Sequence, residues 1–141
     1  MRMDDRMLIE QAEKAREAAY APYSQYAVGA AVLTSGGKIF TGCNIENASY
    51  PAGCCAERTA IFKAVSEGER KICRLALVAA PVQEALPSAA YPVPCGICLQ
   101  VLSEFAAPEL RVLLARDRDD YRDCSLQELL PCRFTAQHLA D

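Results

Sequence analysis

The chain has 141 residues, a formal net charge of −3, and is 52% apolar and 23% charged. That length and balance fit one domain spanning residues 1–141 around a single core, and exclude a disordered or fibrous chain. No run of Lys or Arg offers the footprint of a protein that binds long nucleic acid, and no apolar run reaches membrane-spanning length, so small ligands are the expected partners.

The opening Met1-Arg2-Met3-Asp4-Asp5-Arg6 leads into Glu10, Glu13, Lys14, Arg16 and Glu17, which interrupt any apolar core that a signal peptide would need. A cytoplasmic location is therefore expected. Residues Asp4 to Ala19 predict an amphipathic helix, with Leu8, Ala12, Ala15 and Ala19 at helical spacing and Pro22 beyond its end. Val28–Leu33 and Lys38–Cys43 predict two strands joined through Ser35-Gly36-Gly37, a hairpin signal. Asn44–Cys54, with Pro51 and Gly53, predicts a loop, and Ala56–Ser66 a helix closed near Gly68. Ile72–Ala80 is continuously apolar, as in a strand buried on both faces.

Pro81–Pro94 predicts a proline-rich loop, Gly96–Phe105 a helix ended by Pro108, and Leu110–Ala115 a further strand. Ser125-Leu126-Gln127-Glu128 is a capping-box pattern that opens a short helix, ended by Pro131. Strands alternating with helices call for an α/β fold of three layers, α/β/α, and the hairpin makes the central sheet mixed.

Eight cysteines require an explanation: Cys43, Cys54, Cys55, Cys73, Cys95, Cys98, Cys124 and Cys132. A secreted disulfide framework would be shorter, loopier and export-tagged. Two clusters stand out instead. They are Cys55-Ala56-Glu57-Arg58 and Pro94-Cys95-Gly96-Ile97-Cys98. Cys55, Cys95 and Cys98 supply three thiolates for one metal, which leaves a tetrahedral zinc with an open position, the mark of a catalytic site. Each cluster falls where a loop becomes a helix, and a helix N-terminus favours thiolate over thiol.

Glu57, two residues after the first thiolate, can act as general base and then general acid beside a metal-activated water. Arg58 is placed to offset the negative charge of a trithiolate centre. Blander readings exist for each. A lone C-x-x-C can be a redox pair, Glu57 an ordinary first-turn acid, and Arg58 a solvated helix residue. A closed four-ligand structural zinc would need a further donor; adjacent Cys54 and Cys55 rarely both reach one ion, and His138 follows no ligand spacing.

At these residues the chain resembles the cytidine deaminase family, specifically its short, homotetrameric nucleoside enzymes. The likeness is carried by Ala21-Pro22-Tyr23-Ser24 with Val28-Gly29-Ala30-Ala31, by Gly42 to Tyr50, by Cys55 to Ala60, by Pro94 to Cys98, and by Leu129-Leu130-Pro131 with Phe134. The pattern of Glu two residues after the first ligand, then P-C-x-x-C, is the zinc signature of the deaminases, here with cysteine as first ligand. The resemblance implies one Zn²⁺ per subunit and hydrolytic deamination of cytidine and 2′-deoxycytidine to the uridines, a step of pyrimidine salvage. It also implies a homotetramer with shared active sites.

Residue by residue, the resemblance implies that Asn44 and Glu46 bind the ribose hydroxyls, that Tyr26 lies against the pyrimidine, and that the backbone of Ala56 contacts the base. Phe134 and Tyr50 would reach the base and sugar from neighbouring subunits. Read without the family, Asn44 and Glu46 are polar loop residues, and the aromatics could equally be core. The chain departs from the family pattern at Leu99, where many members carry arginine, and at Cys132-Arg133, where small residues are usual. With Leu99 in that place, Arg58 carries more of the task of offsetting thiolate charge.

Overall fold

The computed structural model describes residues 4–140. Its helices are α1 (Asp5–Arg16), α2 (Ala56–Ser66), α3 (Gly96–Phe105) and α4 (Leu126–Leu129). Its strands are β1 (Tyr26–Thr34), β2 (Ile39–Cys43), β3 (Ile72–Pro81), β4 (Ala106–Asp117) and β5 (Asp120–Ser125). The strands form one sheet in the order β2-β1-β3-β4-β5. Only the β3–β4 pair is parallel; β1–β2, β1–β3 and β4–β5 are antiparallel.

Side chains alternate across this sheet with period two, and each face buries against helices. On one face Leu8, Ile9 and Ala12 of α1 pack on Ala31, Ala76, Val78, Leu113 and Ala115. On the other, Ala60 and Ile61 of α2, Leu99 and Leu102 of α3 and Leu126 of α4 pack on Val32, Leu75, Leu77, Val112 and Leu114. This is the expected α/β/α sandwich. Small residues bring the layers close. A Cβ on Gly29 would lie 2.0 Å from the Ala12 carbonyl oxygen of α1, and one on Gly42 would lie 2.6 Å from the Ala60 nitrogen of α2.

Three elements differ from the sequence-based expectation by two or more residues at an end, and one strand is additional. Helix α1 stops at Arg16 rather than Ala19, because Tyr20 leaves to pair with Ile45 and the intervening residues close i→i−3 turns. Strand β1 begins at Tyr26, two residues early, since its pairing with β3 extends to Tyr26–Pro81. Strand β4 begins at Ala106, before Pro108, where Ile72 of β3 pairs with Ala106 across a register irregularity. Strand β5 was not expected at all. Its residues Asp120, Arg122 and Asp123 lack an apolar alternation, as suits an edge strand guarded by charge. The Ser125–Glu128 capping box forms as read.

Candidate active site

The two cysteine clusters meet at the N-termini of α2 and α3. Cys55 is the N-cap of α2 and Cys95 the N-cap of α3, and neither side chain caps its own helix. Cys98 lies one turn into α3 and is buried. The sulfurs of Cys55, Cys95 and Cys98 all lie within 4.8 Å of one another, with Cys95 and Cys98 3.5 Å apart. Sulfurs about 2.3 Å from a tetrahedral zinc sit roughly 3.8 Å from each other, so this cluster fits that ion. Neither Cys54 nor His138 joins the group.

Arg58 donates from Nη2 to Cys55 Sγ at 3.4 Å. Its Nε is buried without a hydrogen-bond partner. A hydrogen bond from Cys98, and then Arg58, lower the Cys55 thiol to about 5, and the Cys55 sulfur pushes Arg58 upward in turn. Cys98 moves up as the partner that keeps the proton. Arg58 and the neighbouring thiol thus favour the thiolate at Cys55, and a divalent cation would extend that form to all three sulfurs. Leu99 is 5% exposed and belongs to the core under α3, which leaves Arg58 as the cation contacting the sulfurs among the described residues.

Glu57 is only 5% exposed, although it is ionisable. Burial first, and the Cys55 charge after it, push its carboxyl above the usual carboxylate range. Glu57 is thus a first-turn acid of α2 that is buried rather than solvated. Glu57 lines a cleft of about 550 Å³ together with Cys55, Cys95, Tyr26, Asn44 and Glu46. Leu77 and Ala79 of β3 also line this cleft. Burial, and then the Glu57 charge, raise the Tyr26 phenol, which places that aromatic within the field of the acid.

The polar residues Asn44 and Glu46 of this cleft are already held by the protein. Asn44 accepts from the Val28 N–H at 2.9 Å through Oδ1 and donates from Nδ2 to the Tyr26 carbonyl at 2.7 Å. An amide has four hydrogen-bonding positions, so one N–H and one lone pair remain for a ligand. Glu46 accepts from the N–H groups of Tyr23 and Ser24 and from the Ser24 hydroxyl. The sequence reading missed Ser24 as part of this site; the run Ala21-Pro22-Tyr23-Ser24 was the available signal. The Ala56 N–H, in the first turn of α2, has no intrahelical acceptor and borders the same cleft.

Tyr50 lies at the rim of its own chain's cleft, 74% exposed and edge-to-face with Tyr23 at 5.7 Å. Phe134 is not among the residues around that cleft. It is 54% exposed, its carbonyl accepts from Gln100 Nε2 of α3 at 2.9 Å, and its ring stacks on His138.

Residues 2–114 match the family model described as the cytidine and deoxycytidylate deaminase zinc-binding region. A cytidine deaminase of Halalkalibacterium halodurans is 45% identical over 139 residues, covering 99% of this chain and 100% of that protein. A cytidine deaminase of Mycobacterium tuberculosis is 39% identical over 132 residues, covering 94% of this chain and 90% of that one. The crystal structure of cytidine deaminase from Burkholderia pseudomallei superposes with a TM-score of 0.83 at 45% identity, covering 94% of this chain and 100% of that chain. A three-sulfur cluster with a buried acid beside it, on this sheet, is what such a likeness should preserve, and the chain belongs to the cytidine and deoxycytidylate deaminase family.

Proposed function

We propose that this chain converts cytidine and 2′-deoxycytidine to uridine and 2′-deoxyuridine, with water consumed and ammonia released. The observation that carries the reading is the buried Glu57 beside three convergent sulfurs, in a cleft that Asn44 and Glu46 also line. Zinc held by Cys55, Cys95 and Cys98 would supply the Lewis acidity that makes water a nucleophile toward C4 near neutral pH. Glu57 takes one proton from that water and passes it to N3 of the ring, then carries the added oxygen's remaining proton to the amino group, which leaves as ammonia when the C4–N bond breaks. Its buried position, with a carboxyl held above the ordinary range, suits a group that must both accept and return a proton.

Binding follows from the cleft walls. Tyr26 lies along the ring, the Ala56 backbone meets the base, and Asn44 and Glu46 take the ribose hydroxyls, which fixes C4 over the metal cluster. A sugar hydroxyl both donates and accepts, and an amide beside a carboxylate matches that. The exposed Tyr50 and Phe134 reach the sugar and base of adjoining subunits in a homotetramer with shared sites. Among the described residues no helix is long and apolar enough to cross a membrane, and all eight cysteines are free, which suits a reducing, cytoplasmic setting.

The test is loss of ultraviolet absorbance on mixing the zinc-loaded protein with cytidine, repeated with free cytosine and with an oligonucleotide. Cytidine should turn over and the other two should not. Glu57→Gln should fold, retain zinc and lose about 10²- to 10⁴-fold in kcat. A near-normal rate in that variant would remove Glu57 from the proton transfers.

A further inference from the structure

The turn from Ala21 to Tyr26 connects the two groups that the proposed function sets against different parts of a nucleoside. Glu46 Oε1 accepts the Tyr23 N–H at 3.0 Å and the Ser24 N–H at 3.1 Å, and Oε2 accepts the Ser24 hydroxyl. The same hydroxyl oxygen accepts the Tyr26 N–H at 3.1 Å. One oxygen thus bonds both the carboxylate assigned to the sugar and the backbone of the residue whose aromatic is assigned to the ring.

The residue between Ser24 and Tyr26 shows how firmly this turn is set. Gln25 has φ 59°, the one positive φ outside glycine among the described residues. Side chains are disfavoured there and persist only where neighbouring contacts impose the conformation. Those contacts are present. The Gln25 N–H donates to the Ala21 carbonyl at 3.0 Å, its Nε2 to the Pro22 carbonyl at 3.0 Å, and its own carbonyl accepts from Val82 at 2.8 Å. The backbone of the 44–46 segment is tied to the same turn, with Tyr20 N–H to Asn44 O at 3.0 Å and Glu46 N–H to Tyr20 O at 2.9 Å.

We infer that Ser24 is a positioning residue for substrate. It locks the Glu46 carboxylate and the Tyr26 backbone into one frame, so that sugar and ring are registered together before binding. The inference rests on the proposed nucleoside reading and deepens it. Three of the roughly four acceptor positions of Glu46 are taken by the turn, which leaves one, on Oε2, for a single sugar hydroxyl. A free glutamate would have to order its side-chain torsions on binding; this one has done so in advance. The Ser24 contacts also hold the Glu46 carboxyl below the usual range, so it is an acceptor throughout the working pH.

The experiment is a double-mutant cycle on the zinc-loaded protein with cytidine as substrate, using Ser24→Ala, Glu46→Gln and the double variant, with Ser24→Thr as rescue. Ser24→Ala should raise KM about tenfold with a smaller fall in kcat, as expected for loss of one charge-assisted hydrogen bond, and Ser24→Thr should restore KM. Glu46→Gln should raise KM further, and the double variant should be no worse than Glu46→Gln alone, because both act through one carboxylate. Wild-type KM in Ser24→Ala, or effects that multiply in the double variant, would overturn the inference. Turnover of cytidine by the wild type separates this from the broader reading, which fails only if the unmutated protein leaves cytidine untouched. Should Ser24→Ala not fold, Ser24→Cys keeps the volume with a weaker donor and is read in the same way.

Discussion

Replacing Gly42 by alanine should damage the site without substituting any residue of it. Gly42 is on β2, under α2, the helix that carries Glu57 and Arg58 and begins at Cys55. A Cβ there would lie 2.6 Å from the Ala60 nitrogen, 2.7 Å from the Ala56 carbonyl oxygen and 2.8 Å from Thr59 Cβ. The first two are backbone atoms, so no rotamer change relieves them. Reaching the 3.4 Å of ordinary contact requires α2 to retreat by about 0.8 Å. Overpacking of this kind costs about 1–3 kcal/mol. A displacement near 1 Å at a reacting group costs up to about 100-fold in rate, so kcat/KM should fall roughly 10- to 100-fold.

Urea unfolding and steady-state kinetics on the same zinc-loaded preparation check both numbers. Gly29→Ala is the control. Its Cβ would meet Ala12 O at 2.0 Å and Arg16 N at 2.6 Å on the opposite face, so it should cost stability while lowering kcat/KM less than Gly42→Ala does. Wild-type stability together with wild-type kcat/KM in Gly42→Ala would refute the reasoning, since α2 would then have slack in this register.

Arg58→Ala removes the guanidinium 3.4 Å from Cys55 Sγ and should speed zinc loss to a chelator, followed with a metal indicator; an unchanged rate would mean that the sulfurs need no counter-charge. Ser125→Ala removes the hydroxyl contacts of the α4 capping box, leaving the backbone N–H bond to Glu128, and should lower the thermal midpoint at neutral pH. Contacts from Ser125 hold the Glu128 carboxyl below its usual range, a contribution present above the unfolded pKa and lost as pH falls through the folded one. The gap between variant and wild type should therefore narrow on acidification below about pH 4. Phe134→Ala should raise KM in the assembled oligomer with little loss of stability, because the ring is half exposed and outside its own chain's cleft. An unchanged KM would make Phe134 a packing residue only.

The metal cluster and its acid were legible because their chemistry is local in sequence. Cys55 with Glu57, and Cys95 with Cys98, each lie within one helical turn, and the loop-to-helix junctions on either side were visible in the prolines and the apolar pattern. Helix α2, Ala56–Ser66, was legible for the same reason. Ser24 escaped notice because its importance lies in a hydrogen bond to Glu46, 22 residues away, and no spacing rule connects a turn serine to a distant loop carboxylate. The prior engagement of Asn44 with Tyr26 and Val28 was hidden likewise. Strand β5 was missed because charged edge strands carry no burial signal. The early start of β4 was missed because Pro108 suggests a break, whereas the strand passes through it beside a register irregularity.

X-ray absorption at the zinc edge, with metal content measured on the same purified sample, addresses the trithiolate centre directly. One zinc per chain with three sulfur neighbours near 2.3 Å and one lighter neighbour is the expected result. A fourth sulfur, a histidine scattering pattern, or protein that folds without retaining zinc would contradict it.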